Sequence, residues 1–178
     1  MRTLLAGITA LALAGCTGVP EGIEPVTGFD TERYLGTWYE IARLDHSFEE
    51  GLSNVSAEYS LNDDGSIKVI NRGYDAEADK WKEADGRAAF VEGENTGHLK
   101  VSFFGPFYAS YVVFELDRED YSYVFVTGYD RDYLWFLSRT PEVSDEALEA
   151  FRDRAKAEGF DLSELIVVEQ QKHSGDQK

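Results

Sequence analysis

The 178 residues suit one domain, and at 43% hydrophobic they carry enough apolar material for a sizeable core. Acidic residues number 34 against 17 basic, a formal charge of -17, so bare nucleic acid and an anionic bilayer face are poor partners for the surface as a whole. The one cysteine, Cys16, excludes an intramolecular disulfide, and packing alone must hold the core.

Arg2 gives a short positive start, and Leu4 to Ala14 is apolar apart from Gly7 and Thr9, a run too short to span a bilayer as a mature helix. Residues 1–15 read as a signal peptide. The run Leu13-Ala14-Gly15-Cys16 resembles the bacterial lipobox, in which small residues precede a cysteine that becomes the lipid-bearing amino terminus. Cys16 is the expected lipidation site. Thr17 stands where an aspartate would resemble an inner-membrane retention signal, and by that resemblance the chain goes to the outer membrane of a Gram-negative envelope, facing the periplasm. Residues 16–29, with Pro20, Pro25 and three glycines, read as a lipidated tether to a domain over 30–170, and 171–178 as a polar tail.

Asp30 to Leu35 has the caps of one short helical turn leading into Gly36-Thr37-Trp38, the expected start of a first strand. Asp45 to Asn54 is longer than a hairpin needs and carries Phe48 and Leu52, which suits a loop folded over an open mouth. Strands follow over Val55–Leu61 and Ser66–Tyr74 around the turn Asn62-Asp63-Asp64-Gly65, then Trp81–Val91 with an interruption at Asp85-Gly86. His98–Phe104, Tyr108–Leu116, Tyr121–Tyr129 and Asp132–Arg139 continue the series to eight, each of a length that suits a small barrel. Ser144 then caps a helix with an apolar stripe of Leu148, Phe151 and Ala155 and a stop at Gly159; Leu165–Val168 is a last short strand. The helix needs a surface, and the outside of the barrel is the only large one available.

Gly36-Thr37-Trp38, the Thr127-Gly128-Tyr129-Asp130 turn, and Arg139 within Leu137-Ser138-Arg139-Thr140-Pro141 resemble the three signature regions of lipocalins. Longer runs, Val69 to Tyr74, Lys100 to Phe107 and Asp130 to Trp135, resemble the bacterial branch of that family, which are outer-membrane lipoproteins. The resemblance implies an all-β fold: an eight-stranded antiparallel up-and-down barrel with one C-terminal α-helix packed outside. It implies that Gly36, Trp38 and Arg139 are structural, with Trp38 closing one end and Arg139 lying across its ring. It also implies binding, carriage or storage of a fatty acid or lysophospholipid, and it allows a homodimer.

Alternation offers cavity candidates. If Glu115 faces solvent, then Ser110, Val112, Phe114 and Leu116 face inward with Tyr108; Ala109, Tyr111 and Val113 form an equally apolar alternative face that the helix could cover. Tyr59, Arg72, Tyr123 and Trp135 are candidates on neighbouring strands. An inward aromatic fills core more often than it touches ligand. An inward Arg72 must meet an anion, either a lipid headgroup or an internal carboxylate such as Glu58 or Glu40. No cofactor or metal is expected: His46, His98 and His173 are scattered, and no serine sits in a nucleophile elbow. The chain therefore reads as a binder and not an enzyme. The alternatives are an envelope interaction module with a filled barrel, or a lipid-modifying enzyme.

Overall fold

The fold was obtained as a computed structural model that describes residues 17–171; the expected signal peptide over 1–15, the expected lipidation site Cys16 and residues 172–178 of the expected polar tail lie outside the described residues. A short helix α1 (Thr31–Tyr34) precedes β1 (Gly36–Leu44), β2 (Leu52–Leu61), β3 (Ile67–Asp75), β4 (Lys80–Phe90), β5 (His98–Phe104), β6 (Phe107–Leu116), β7 (Tyr123–Thr127) and β8 (Leu134–Ser138). Helix α2 (Asp145–Ala157) and β9 (Leu165–Val167) follow. Each of the eight strands pairs antiparallel with the next, and β1 pairs with both β2 and β8, which closes the barrel. Closure removes the sheet edges that an open eight-stranded sheet would expose.

Beyond Tyr39, β1 parts from β2, and β9 takes the vacated edge by pairing Leu44, Arg43 and Ala42 with Leu165, Ile166 and Val167. Gln170 bridges the split by donating from its side-chain amide to the carbonyls of Glu40 and Val55, both at 2.8 Å. The backbone groups left by the divergence are thereby satisfied.

Two apolar clusters lie on opposite faces of the one sheet. The inner cluster draws on all eight strands, with Trp38, Tyr59, Val69, Ala88, Leu99, Val113, Val124 and Leu137 among its members. The outer cluster sets Phe151 and Ala155 of α2 against Ile41, Ala42, Phe114, Phe125 and Phe136. Ser144 caps α2 by accepting from Ala147 N at 3.2 Å, and the helix ends at Glu158 ahead of Gly159 at φ 84°.

Three expectations change. Strand β4 runs unbroken through Asp85-Gly86: a Cβ on Gly86 would stand 2.6 Å from Phe103, so the glycine makes room for an inward ring instead of turning the chain. Residues 17–29 are no free tether, because Pro20, Ile23, Val26 and Phe29 are buried on the barrel. Val26 accepts from Gly97 N and donates to Val113 O, while Arg118 and Arg131 donate to the carbonyls of Thr27 and Glu21. The apolar residues spaced along this segment supply the burial that its prolines and glycines hide.

The third change is the parity of β6. Glu115 does point outward, accepting from Arg154 of α2 at 2.9 Å. A bulge between Val113 and Glu115 shifts the alternation by one residue. Ser110, Val112 and Phe114 therefore lie on the outer face, while Ala109, Tyr111, Val113 and Leu116 line the interior.

Candidate functional site

The barrel floor is built from the first strand outward. Trp38 has no exposed surface and donates its indole N–H to Tyr34 O at 2.8 Å, so helix α1 is latched beneath it. The Arg139 guanidinium lies 3.8 Å from the Trp38 ring centroid and donates to the carbonyls of Thr37, Arg33 and Tyr34 and, from Nε, to that of Tyr121. One cation-π contact and four carbonyls use the whole fork. Gly36 sits at φ 95° with Arg139 beside it, a backbone angle that favours glycine.

Above the floor three tyrosines form a chain. Tyr111 and Tyr34 share a hydroxyl contact of 2.5 Å, and Tyr59 donates to Tyr111 at 3.1 Å. Burial raises the pKa of all three, with desolvation the largest cause in each case, so they stay neutral and can pass hydrogen bonds along.

The walls then open. Asn71, Ala84, Phe103, Ala109, Tyr111 and Trp135 are on the inner face by register, yet each keeps solvent-accessible surface. The upper interior is therefore a calyx that water reaches, with apolar sides and a hydroxyl chain at its base. Asn71 Oδ1 is buried there with no hydrogen-bond partner.

The mouth holds the charge. A bulge between Glu40 and Ala42 turns Arg43 inward beside Glu40, and Arg43 is 1% exposed. Its Nη1 donates to Glu40 Oε1 at 2.7 Å, and Nη2 donates to the carbonyls of Glu49 and Leu52. Arg43 thus fastens the loop between β1 and β2 across the opening. Nε of Arg43 is left buried and unpartnered. Glu49 turns its carboxylate inward, where Oε2 accepts from Trp135 Nε1 at 3.2 Å. His46 Nε2 lies 2.9 Å from the same oxygen, close enough to pair electrostatically but off the line a hydrogen bond needs. The His46 ring stacks on Phe48 and tilts against Trp135 and Tyr133. Burial, followed by the charge of Glu49, pushes the Glu40 carboxyl well above its usual range, with Arg43 opposing.

Of the residues proposed from sequence, Tyr59 and Trp135 lie in the interior cluster. Arg72 does not: it stands on the outer wall of β3 with Glu83 at 2.8 Å and Glu58 at 3.0 Å, because Val69 and Asn71 take the inward positions. Tyr123 is also outside, packed with Phe125 and Phe136 beneath α2. Ser110 contacts His98 Nε2, and Val112 and Phe114 belong to the outer face as described above. The residues missed as a group are Arg43, Glu49 and His46. Alternation from Trp38 reaches Glu40, but the bulge that delivers Arg43 has no glycine or proline to announce it.

Comparison with known proteins agrees with this geometry. A lipocalin-like domain profile matches residues 29–170. The outer membrane lipoprotein Blc of Vibrio cholerae is 57% identical, over 96% of this chain and 100% of its own. That of Escherichia coli K12 is 50% identical, over 93% and 94%. Among solved structures, the cockroach allergen Per a 4 is similar with a TM-score of 0.63 and 25% identity, covering 86% of this chain and 95% of the allergen. The calyx is the architecture of a carrier for a small hydrophobic molecule. Homology of this extent places the protein at the outer membrane, lipid-anchored and facing the periplasm. The chain belongs to the lipocalin family.

Proposed function

We propose that the barrel holds one single-chain lipid without chemical turnover, its acyl tail in the calyx and its head at the mouth, and that the preferred head carries an amine, as in a lysophospholipid, over the bare carboxylate of a fatty acid. The observation that carries this reading is the pair of inward carboxylates at the mouth. Glu40 already resists ionisation beside Glu49. A fatty-acid carboxylate would bring a further acidic group beside this crowded pair, and Arg43 has committed both terminal nitrogens to Glu40 and to backbone carbonyls. An ammonium relieves the repulsion and finds the faces of Trp135 and Tyr133 nearby. The unpartnered Asn71 Oδ1 offers an acceptor for a glycerol hydroxyl or amine. Affinity comes from the tail, at about 25 cal/mol per Å² of apolar surface buried, and the head sets orientation.

Native mass spectrometry of the protein offered equal amounts of palmitoyl lysophosphatidylethanolamine and palmitate tests this. A one-to-one adduct dominated by the lysolipid, weakened by Trp135→Ala in a variant that keeps its thermal unfolding transition, is the expected result. Dominance of palmitate would overturn the preference for an amine. Uptake of neither lipid would overturn the carrier reading and leave a module that acts through its outer surface.

A further inference from the structure

The three hydroxyls at the base of the calyx carry one hydrogen more than they use. Tyr34, Tyr59 and Tyr111 each have one O–H to donate and two lone pairs to accept with. Tyr111 is the centre of the chain, meeting Tyr34 at 2.5 Å and Tyr59 at 3.1 Å, and among the described residues the hydroxyls make no other hydrogen bond. Two bonds consume two hydrogens. Burial keeps all three groups protonated, so the third hydrogen stays and needs an acceptor from outside the triad.

That hydrogen belongs on Tyr111. Tyr59 donates to Tyr111. Were Tyr111 to donate onward, the spare hydrogen would sit on Tyr34, which is 1% exposed and in contact with the rings of Phe29, Trp38 and Tyr59. A buried donor without a partner carries a penalty that the other arrangement avoids. Tyr34 therefore donates as well, Tyr111 accepts twice, and the Tyr111 O–H is free. Tyr34 and Tyr59 are buried, whereas Tyr111 keeps accessible surface toward the calyx.

No described side chain takes this donor. Asn71 Oδ1 is a buried acceptor on the same interior, and it too is unpartnered, so it lies out of reach. The rest of the inner cluster is apolar, with Trp38, Leu99, Val113 and Val124 among its members. Without a ligand, water can take the hydrogen. A chain that fills the calyx displaces that water, and must replace its hydrogen bond or lose affinity. The replacing group is constrained in charge. Burial is the main cause of the raised Tyr59 pKa, and the acidic groups Glu49 and Glu40 add to it, so the field of the mouth reaches the triad. An anion at the base would meet that field and a desolvation penalty; a neutral oxygen escapes both. The group is constrained in hydrogens as well, since a hydroxyl would bring one more to place, whereas a ketone or epoxide only accepts.

We propose that the calyx has a second polar subsite at its base, where the Tyr111 hydroxyl donates to a ketone or epoxide oxygen on the distal part of an acyl chain. This rests on the carrier reading and deepens it, by naming a class of chain as well as a class of head. A wholly apolar calyx would reject an oxygenated chain, because the oxygen would be buried without a donor. Here the donor is already in place, and it is the unsubstituted chain that leaves a group unpaired.

The test offers the protein lysophosphatidylethanolamines with a ketone at the penultimate carbon, in chain lengths from lauroyl to stearoyl, each in competition with its unsubstituted counterpart. Native mass spectrometry reads the ratio of the two adducts. At the chain length that sets its oxygen against Tyr111, Tyr111→Phe should lower the ratio of oxo to plain lipid by about tenfold, the worth of one hydrogen bond together with the release of a stranded donor. Tyr34→Phe and Tyr59→Phe each remove a hydroxyl too, but both leave the spare hydrogen on Tyr111 and should leave the ratio unchanged. That contrast separates a donor to ligand from a general loosening of the floor. The wild-type protein gives a reading that needs no variant: the stretch of an isotope-labelled ketone on the bound chain should fall below its frequency in hexane. A ratio untouched by Tyr111→Phe at every length, a ratio lowered equally by all three substitutions, or a ketone stretch equal to that in hexane overturns the proposal, while uptake of the lipids leaves the carrier reading standing. A Tyr111→Phe protein that instead loses unsubstituted palmitate also overturns it, by putting a carboxylate at the floor. Uptake of no lipid at all removes the carrier reading and the proposal with it.

Discussion

The two ends of this barrel follow opposite rules. At the floor, Trp38, Tyr34 and Arg139 find a partner for the indole N–H and for the guanidinium. At the mouth, Glu40, Glu49 and Arg43 are buried and so is the side chain of His46, yet Arg43 Nε and His46 Nδ1 are left without a partner. The floor uses burial to fix one geometry. The mouth buries polar groups whose hydrogen bonds are not all met within the chain, and natural folds tolerate such unsatisfied atoms chiefly where function requires them.

The largest effect should come from breaking the floor. Trp38→Ala leaves a cavity and strips Arg139 of its aromatic partner; a loss of about 3 to 5 kcal/mol in urea unfolding is expected. A loss well under that range would mean that the floor can collapse and is less rigid than its contacts suggest.

Arg43→Ala probes the mouth on the same scale. It strands Glu40 in the interior and releases the loop at Glu49 and Leu52, for a cost of about 3 kcal/mol or more. The same site has a pH signature. The folded chain holds the Glu40 proton above the usual carboxylate pKa of 4.5, where the unfolded chain has released it. The contribution is thus fully present below that value and is lost as pH rises toward the folded pKa. Glu40→Gln should flatten this part of the stability profile between pH 5 and 8, measured by thermal unfolding in matched buffers. An unchanged slope would place the titration elsewhere.

The smallest effect belongs to the wall. Arg72→Ala removes two ion pairs from a partly exposed outer face, and should change stability by at most about 1 kcal/mol with no change in lipid uptake. A marked fall in uptake would mean that the outer wall communicates with the calyx.

The contrast also explains what was legible from the sequence. Strand rhythm, the capped helix and the Gly36-Thr37-Trp38 floor are local patterns, and they translated directly into structure. Tyr59 and Trp135 could be placed because no irregularity separates them from regular alternation on their paired stretches. The inward set of β6 could not, since one bulge at Phe114 inverts every assignment beyond it. Arg72 was misplaced because a lone cation in an apolar strand looks the same whether it faces ligand or a carboxylate on the next strand. The mouth was hardest to read, as Arg43 and Glu49 meet only through a second bulge and a folded loop.

The closing seam has a consequence in time. Tyr39 of β1 pairs with Ser138 of β8, 99 residues further along, whereas the other neighbouring strands of the eight-stranded barrel follow one another in the chain. Hairpins form in roughly microseconds, but joining such distant partners sets the pace of a barrel, commonly milliseconds to seconds. A chain exported from its amino terminus therefore presents β1 early, with one edge bare until β8 arrives. That edge is the place where an envelope chaperone would need to act, and where a delayed chain would first pair with the wrong neighbour.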